Sequence, residues 1–360
     1  MVVTKNQRKI SYGEAIREAI DQSMGKDSSV FIIGEGVPDP KNIFGTTKGL
    51  LDKYGKNRVL DMPLSENGLT GVCIGAALQG MRPIMVHQRI DFMLLALDQI
   101  INHAAKLHYM FGGKIRVPMV IRAIIGQGWG QGAQHSQNLQ AIFAHIPGLK
   151  VVMPSTPYDA KGLLLASIQD NNPVIFIEHR WLHDITGHVP EEIYTVPLGK
   201  ANVVRKGTDL SIVSTSYMTI EALKAVNAIK NASIEIIDVR TVKPLDFETI
   251  KESVEKTGKL LVVDLGHYSG GISGDIIAKV AEHLFDKLKA PPQRITLPDI
   301  PTPSTHALTK YYYPHHLDII KKIGEMIGIS QQKIGTILKS EKQKMPENLD
   351  VPEPSFTGPF

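Results

Sequence analysis

Two stretches of this 360-residue chain carry residue types that could do chemistry. The first is DMPLSENGLTGVCIGAALQG, Asp61 to Gly80, which sets one carboxylate, Glu66, in a short turn between apolar segments. Pro63 stops the strand that VLDMPL begins, and Asn67 and Gly68 supply turn chemistry. A helix of small residues follows, with Gly71, Gly75, Ala76, Ala77 and Gly80. Each helical Gly costs about 1 kcal/mol relative to Ala, so several together imply that something approaches the helix backbone closely. Glu66 reads either as an acid held above a tightly packed helix or as a solvated residue that complements a helix dipole. The second stretch is the loop GQGWGQGAQHSQ, between a strand and a helix, which presents Gln134 and His135. It lacks the GxxxxGK[ST] of a phosphate-binding loop, and the strand after it, LKVVMPS, ends without the acid that would hold a ribose. Its glycines let backbone come close to a ligand; otherwise His135 is a loop histidine bonded to Ser136. His103, His108 and His145 show no metal-ligand spacing and read as helix-surface or core residues. No GxSxG nucleophile elbow occurs.

The elements that must position these residues alternate. Ser11 is an N-cap with Glu14 at capping-box spacing, and a helix runs from Tyr12 to Met24. Strands are expected at Ser29 to Gly36, at RVLDMP, and at Arg82 to Gln88. One long helix, FMLLALDQIINHAAKLHYMFGG, follows, stopped by Gly112. Strands at Val117 to Gly126, LKVVMPS and NPVIFIEH enclose helices at NLQAIFAHI and Tyr158 to Gln169. Continuous apolar strands alternating with helices predict a parallel α/β sheet covered on both faces. The pattern breaks from about Gly187 to Val204, which reads as a linker. A second parallel α/β unit then runs through DLSIVST, IEIIDVR, KLLVVDL and RITLPD, with a closing helix HLDIIKKIGEMIGI. The domains expected are 1–190, 191–330 and a polar, proline-rich tail at 331–360, extended or laid along a partner after about Ser340.

Composition narrows the function. The chain is 42% hydrophobic with a formal net charge of +4, enough for two ordinary cores. The lysines near Lys5 to Lys9 and Lys339 to Lys344 sit at the two ends without a nucleic-acid motif, so no nucleic-acid partner is expected. No apolar run reaches about 18 residues, so no membrane span is expected. Cys73 is the only cysteine, which fits a reducing, cytoplasmic compartment and excludes a cysteine metal cluster.

The combination resembles a known family. MPLSENGLTGVCIGAALQGMRPI, LDQIINHAAKLHYMFGGKIRVPMVIR, GQGAQHSQ, PGLKVVMPSTPYDAKGLLLASIQDNNPVIFIEH and IDVRTVKPLD are similar, in unbroken order from about Ile10 to Ile329, to the β subunits of thiamin-diphosphate-dependent 2-oxoacid dehydrogenases. That group includes the pyruvate, branched-chain and acetoin enzymes. The resemblance implies a pyrimidine-binding domain followed by a transketolase-type C-terminal domain. It implies that Glu66 hydrogen-bonds the aminopyrimidine ring of the cofactor, where proton exchange activates the thiazolium carbon. It also implies that Phe92 packs on the pyrimidine, with Leu64 and Gln88 beside the cofactor. His135 would face the substrate and assist acyl transfer to the lipoyl arm of an acyltransferase component. Ser167, Ile168, Asp170 and Asn172, in SIQDNN, correspond to a loop that holds potassium in many relatives.

Cofactors of this kind need a diphosphate site with bound magnesium, marked by a GDG motif. This chain has none; Gly274-Asp275-Ile276 fails. The resemblance therefore implies half an active site, completed by an α subunit that holds the magnesium, in an α2β2 heterotetramer. One departure bears on substrate. Where relatives carry a stretch close to EFMTFNF, this chain reads VHQRIDF, Val86 to Phe92, and Gln88, Arg89 and Asp91 make the wall more polar. Arg89 either pairs with Asp91, turns toward the partner subunit, or meets a polar or anionic substrate tail. Asp264 and His267, in VVDLGHYSGG, depart as well. The rival readings are a split transketolase-like transferase subunit and a catalytically silent structural partner.

Overall fold

The computed structural model describes residues 8–39, 43–126, 131–230 and 232–345. They form two compact units, one from residues 8–126 and 142–198, the other from 131–141 and 199–345. Each is an α/β unit with a mainly parallel sheet, as the apolar strand runs predict.

In the first unit the strands lie in the order Lys150–Val152, Val174–His179, Val120–Ile125, Arg82–His87, Val30–Gly34, Val59–Leu60. Every pairing among them is parallel. Val120–Ile125 and Val174–His179 are buried along their whole length, as strands covered on both faces must be. The helix Tyr12–Lys26 starts with the expected capping box. Glu14 N donates to Ser11 Oγ at 3.1 Å, and Ser11 N donates to Glu14 Oε2 at 2.7 Å. That helix packs on Pro157–Gln169. Lys161, fully buried there, donates to Glu18 at 2.7 Å and to three backbone carbonyls, Pro190, Glu191 and Glu192.

Two expectations need correction. Glu66 does not sit in a turn: it is the first residue of the helix Glu66–Leu78, and Asn67 and Gly68 are helical. The segment read as one long helix is broken into Ile90–Met93, a 3-10 turn at Leu94–Ala96, a wide π-helical stretch at Gln99–Ala104 and a last turn at Leu107–Met110. The glycine helix lies close to the widened stretch. A side chain added at Gly71 would meet Gln99 Oε1 at 3.2 Å, so the widened turn and the glycine helix press on each other. Part of the close approach expected of the glycine helix is thus made within the chain, whereas nothing lies against Gly75.

The second unit orders its strands Gln293–Leu297, Leu260–His267, Leu210–Ser214, Ile234–Asp238, Asn202–Arg205. The first four run parallel and the last antiparallel. Val213, Ile237, Val262, Ile250 and Val280 centre its core. The helix Gln331–Lys342 occupies the start of the segment read as a tail, with Ile334 buried against Gly324. The tail from 346 on lies outside the described residues, as do residues 127–130 of the glycine-rich loop and Lys5. No helix among the described residues is long and apolar enough to cross a membrane.

Candidate functional site

Parallel α/β sheets bind ligands at the carboxyl ends of their strands, because the loops there open toward solvent while the faces are covered. The first unit gathers its candidate residues at that edge. After Val59–Leu60, Asp61 Oδ1 accepts from Gly36 N at 2.7 Å and from Met62 N at 3.0 Å, tying the two neighbouring loops together. The helix then starts at Glu66, which is only 7% exposed. Thr70 Oγ1 donates to the Glu66 backbone carbonyl at 2.7 Å and leaves the carboxylate alone. Among the described residues nothing donates to that carboxylate, so it is open to an external donor. This is the fit expected of a group that hydrogen-bonds an aminopyrimidine. Leu64, two residues earlier, is 77% exposed, so in this chain alone it walls no cavity.

The strand Arg82–His87 delivers the rest. Gln88 Nε2 donates to the Glu35 carbonyl at 3.0 Å, holding two strand ends together. His87 is buried; burial pushes its pKa down to about 4, so it is neutral, and its Nε2 has no partner among the described residues. Arg89 and Asp91 are buried and Phe92 is half-buried. The Arg89 guanidinium carbon lies 5.8 Å from the centre of the Phe44 ring.

Behind this edge lies a charge cluster that sequence reasoning missed. Arg122 and Glu178, both fully buried, pair at 2.6 and 3.0 Å, and Arg122 also donates to Thr46 Oγ1 at 3.0 Å. His183 Nε2 lies 3.1 Å from Glu178. Burial works to raise the Glu178 pKa, but the Arg122 charge and the bonds from His183 and Arg122 hold it well below the carboxylate range. The signal was present in VIRAII and VIFIEH, where one cation and one anion interrupt otherwise apolar strands. Beside it, Gly126 has φ +118°, and an added Cβ would meet the His179 ring at 2.9 Å, so only glycine fits there.

His135 belongs to the second unit. It follows the turn Gly132–Gln134 and is half-buried. Five residues on, Gln140 Nε2 donates to Asp264 Oδ1 at 3.0 Å. Thr215 Oγ1 donates to the same carboxylate at 2.8 Å and Gly266 N at 3.0 Å, so buried Asp264 is fully engaged. His267 Nδ1 lies 2.8 Å from the Pro298 carbonyl. His103, His108 and His145 are exposed.

The SIQDNN loop is held by cations of the chain itself. Arg82 Nη1 donates to the Ile168 carbonyl at 2.9 Å and the Asp170 carbonyl at 3.0 Å, and Nη2 donates to Asn171 Oδ1 at 3.0 Å. Lys150 pairs with the Asp170 carboxylate, which also accepts from Asn172 N at 2.9 Å. Ser167 Oγ donates to Leu163 O at 2.7 Å. Each carbonyl has two lone pairs, so those of Ile168 and Asp170 are not exhausted by the bond from Arg82.

Known families and proteins resemble this chain over most of its length. The model of the transketolase pyrimidine binding domain matches residues 8–184, and that of the transketolase C-terminal domain matches residues 199–319. The chain is 49% identical over 319 residues to the acetoin:2,6-dichlorophenolindophenol oxidoreductase subunit beta of Cupriavidus necator, covering 85% of this chain and 94% of that relative. It is 44% identical over 320 residues to the pyruvate dehydrogenase E1 component subunit beta of Porphyra purpurea, covering 88% and 97%. A solved structure titled split gene transketolase, inactive beta4 tetramer, shares the fold with a TM-score of 0.73 at 20% identity, over 89% of this chain and all of that one.

Proposed function

This chain belongs to the β-subunit family of the transketolase-like 2-oxoacid and acetoin dehydrogenases, and from that premise we propose that it contributes the pyrimidine half of a thiamin-diphosphate site to an α partner. The reaction is the oxidative decarboxylation of a 2-oxoacid, or the matching cleavage of a hydroxyketone, with the acyl group passed to a lipoyl arm. The observation that carries this reading is Glu66, a largely buried residue at the sheet's carboxyl edge whose carboxylate has no donor among the described residues.

Bound thiamin diphosphate supplies the electron sink. This chain's residues orient it and manage protons. When it is bound, Glu66 would share a proton with a ring nitrogen, and Phe92, Gln88 and Leu64 would hold the ring. His135 handles the proton when the acyl group leaves, and Arg89 lies on the substrate side. Magnesium and the diphosphate would be held by the α subunit, and the SIQDNN loop would offer its carbonyls to a potassium ion.

The test is a binding titration. The chain alone should bind thiamin diphosphate with magnesium weakly in calorimetry, and coexpression with its α partner should restore tight binding. Tight magnesium-dependent binding by this chain alone would refute the split site.

A further inference from the structure

Two buried arginines share one aromatic ring at the carboxyl edge of the first sheet. Arg89 precedes the short helix that follows Arg82–His87, and Arg180 opens the turn that follows Val174–His179. Only 5% of Arg89 and 4% of Arg180 is exposed. The guanidinium carbon of Arg180 lies 4.3 Å from the centre of the Phe44 ring, and that of Arg89 lies 5.8 Å from the same centre. Burial lowers the Arg180 pKa to about 10; Asp184, 4.0 Å away, opposes this, and the charge of Arg89 adds to it.

The ring that holds them is unusual. Phe44 has φ +55° and ψ +36°, a left-handed conformation that a bulky residue keeps only when its surroundings hold it. Its other neighbour is His183, at 5.8 Å. The charges around the two arginines divide by role. Arg122 and Glu178 neutralise each other, with His183 on Glu178. Asp184 lies at the rim, and Asp91 is buried in the helix that follows Arg89. Bringing two cations together under burial is unfavourable for folding, and such arrangements cluster where a ligand is recognised. A guanidinium's planar fork matches a carboxylate or a phosphate, and a pair of forks suits a doubly negative group.

We propose that Arg89 and Arg180, both packed on Phe44, clamp an oxyanion at the far end of the substrate, which is then a 2-oxoacid carrying a second carboxylate or a phosphate. The proposal rests on the reading of Glu66 as the cofactor-side group and names the substrate class for that site.

The experiment uses the coexpressed αβ enzyme with reduction of an artificial acceptor. Pyruvate, 2-oxoglutarate and 3-phosphohydroxypyruvate are compared for wild type, Arg89→Met, Arg180→Met and Arg180→Lys. Wild type should turn over one of the two doubly anionic substrates with a higher kcat/KM than pyruvate, and which of them wins distinguishes carboxylate from phosphate. Each Met variant should reduce that preference tenfold or more, and Arg180→Lys should recover part of it. A second readout needs no turnover: calorimetric binding of glutarate and of inorganic phosphate, with melting curves to confirm folding. One of these anions should bind wild type and bind each Met variant at least tenfold more weakly. Anion binding and a doubly anionic preference lost in the Met variants, together with near-normal turnover by Glu66→Gln, would support the clamp and sink the Glu66 reading. Good turnover of pyruvate, no anion binding and an unchanged substrate ratio in the variants would overturn the clamp and leave that reading standing. Should the Met variants fail to fold, wild-type preference for pyruvate without anion binding overturns the clamp by itself.

Discussion

The two parallel sheets differ in how their buried acids are satisfied. In the second unit, Asp264 follows an apolar strand run and accepts from Thr215, Gln140 and Gly266. It is saturated by its own chain. In the first unit, Glu66 is 7% exposed against 0% for Asp264, and none of the described residues donates to its carboxylate. The architecture is shared, so the fold does not distinguish a structural acid from a chemical one. The hydrogen bonds do: Asp264 has its donors within the chain, whereas the Glu66 carboxylate is left open to a donor from outside.

The largest effect expected from this contrast is on turnover. Glu66→Gln keeps the shape and loses the exchangeable proton, so activity of the αβ enzyme should fall roughly 10²- to 10⁴-fold, the usual worth of a general acid or base. Its melting temperature should not move, since no bond within the chain is lost. Near-normal turnover would refute the assigned role, and a large fall in melting temperature would erase the contrast with Asp264.

A second variant sharpens the contrast inside the first unit. Glu178 is as buried as an acid can be, but it is paired with Arg122 and His183. Glu178→Gln leaves the Arg122 charge uncompensated and should cost about 3–5 kcal/mol in urea unfolding. A cost below about 1 kcal/mol, the level of an exposed ion pair, would show that water reaches the pair.

Much of this scaffold was readable in advance. Runs such as VFIIG and VIRAII are too short and too continuously apolar for anything but buried strands, and Ser11 with Glu14 announces its helix start. The family resemblance singled out Glu66, Phe92 and His135, but not their surroundings. That Glu66 is helical and buried depends on loops brought together by Asp61 and Gly36, which lie 25 residues apart. The helix after Phe92 is broken where it lies close to Gly71, which no local period records. Arg180 lies just past the strand NPVIFIEH and Phe44 in a segment without a clear period, so neither stands out in the sequence. Their meeting with Arg89 exists only once three strand ends share one edge.

The smallest expected effect concerns the second unit, where buried charge serves only to join elements. Glu221, on the helix Tyr217–Ala228, accepts from His316 N at 2.8 Å and lies 3.2 Å from His316 Nδ1, at the start of the helix His316–Ile327. Its other oxygen accepts from Lys224 at 3.1 Å. Burial works to raise the Glu221 pKa, but the bond from His316 and the Lys224 charge outweigh it and hold it at about 2, against an ordinary 4.5. A folded-state pKa below the unfolded one means that the ionised form favours folding. The contribution is therefore complete above the unfolded value and disappears as pH falls from 4.5 toward 2. Its size at neutral pH is on the order of 3 kcal/mol, and about half should be gone by pH 3. Urea unfolding of wild type and Glu221→Gln through this window checks it. Wild type should lose stability more steeply on acidification, and the two curves should converge at the acid end. Parallel curves would mean that His316 and Lys224 do not hold the carboxylate ionised, and that the helices are joined by packing alone.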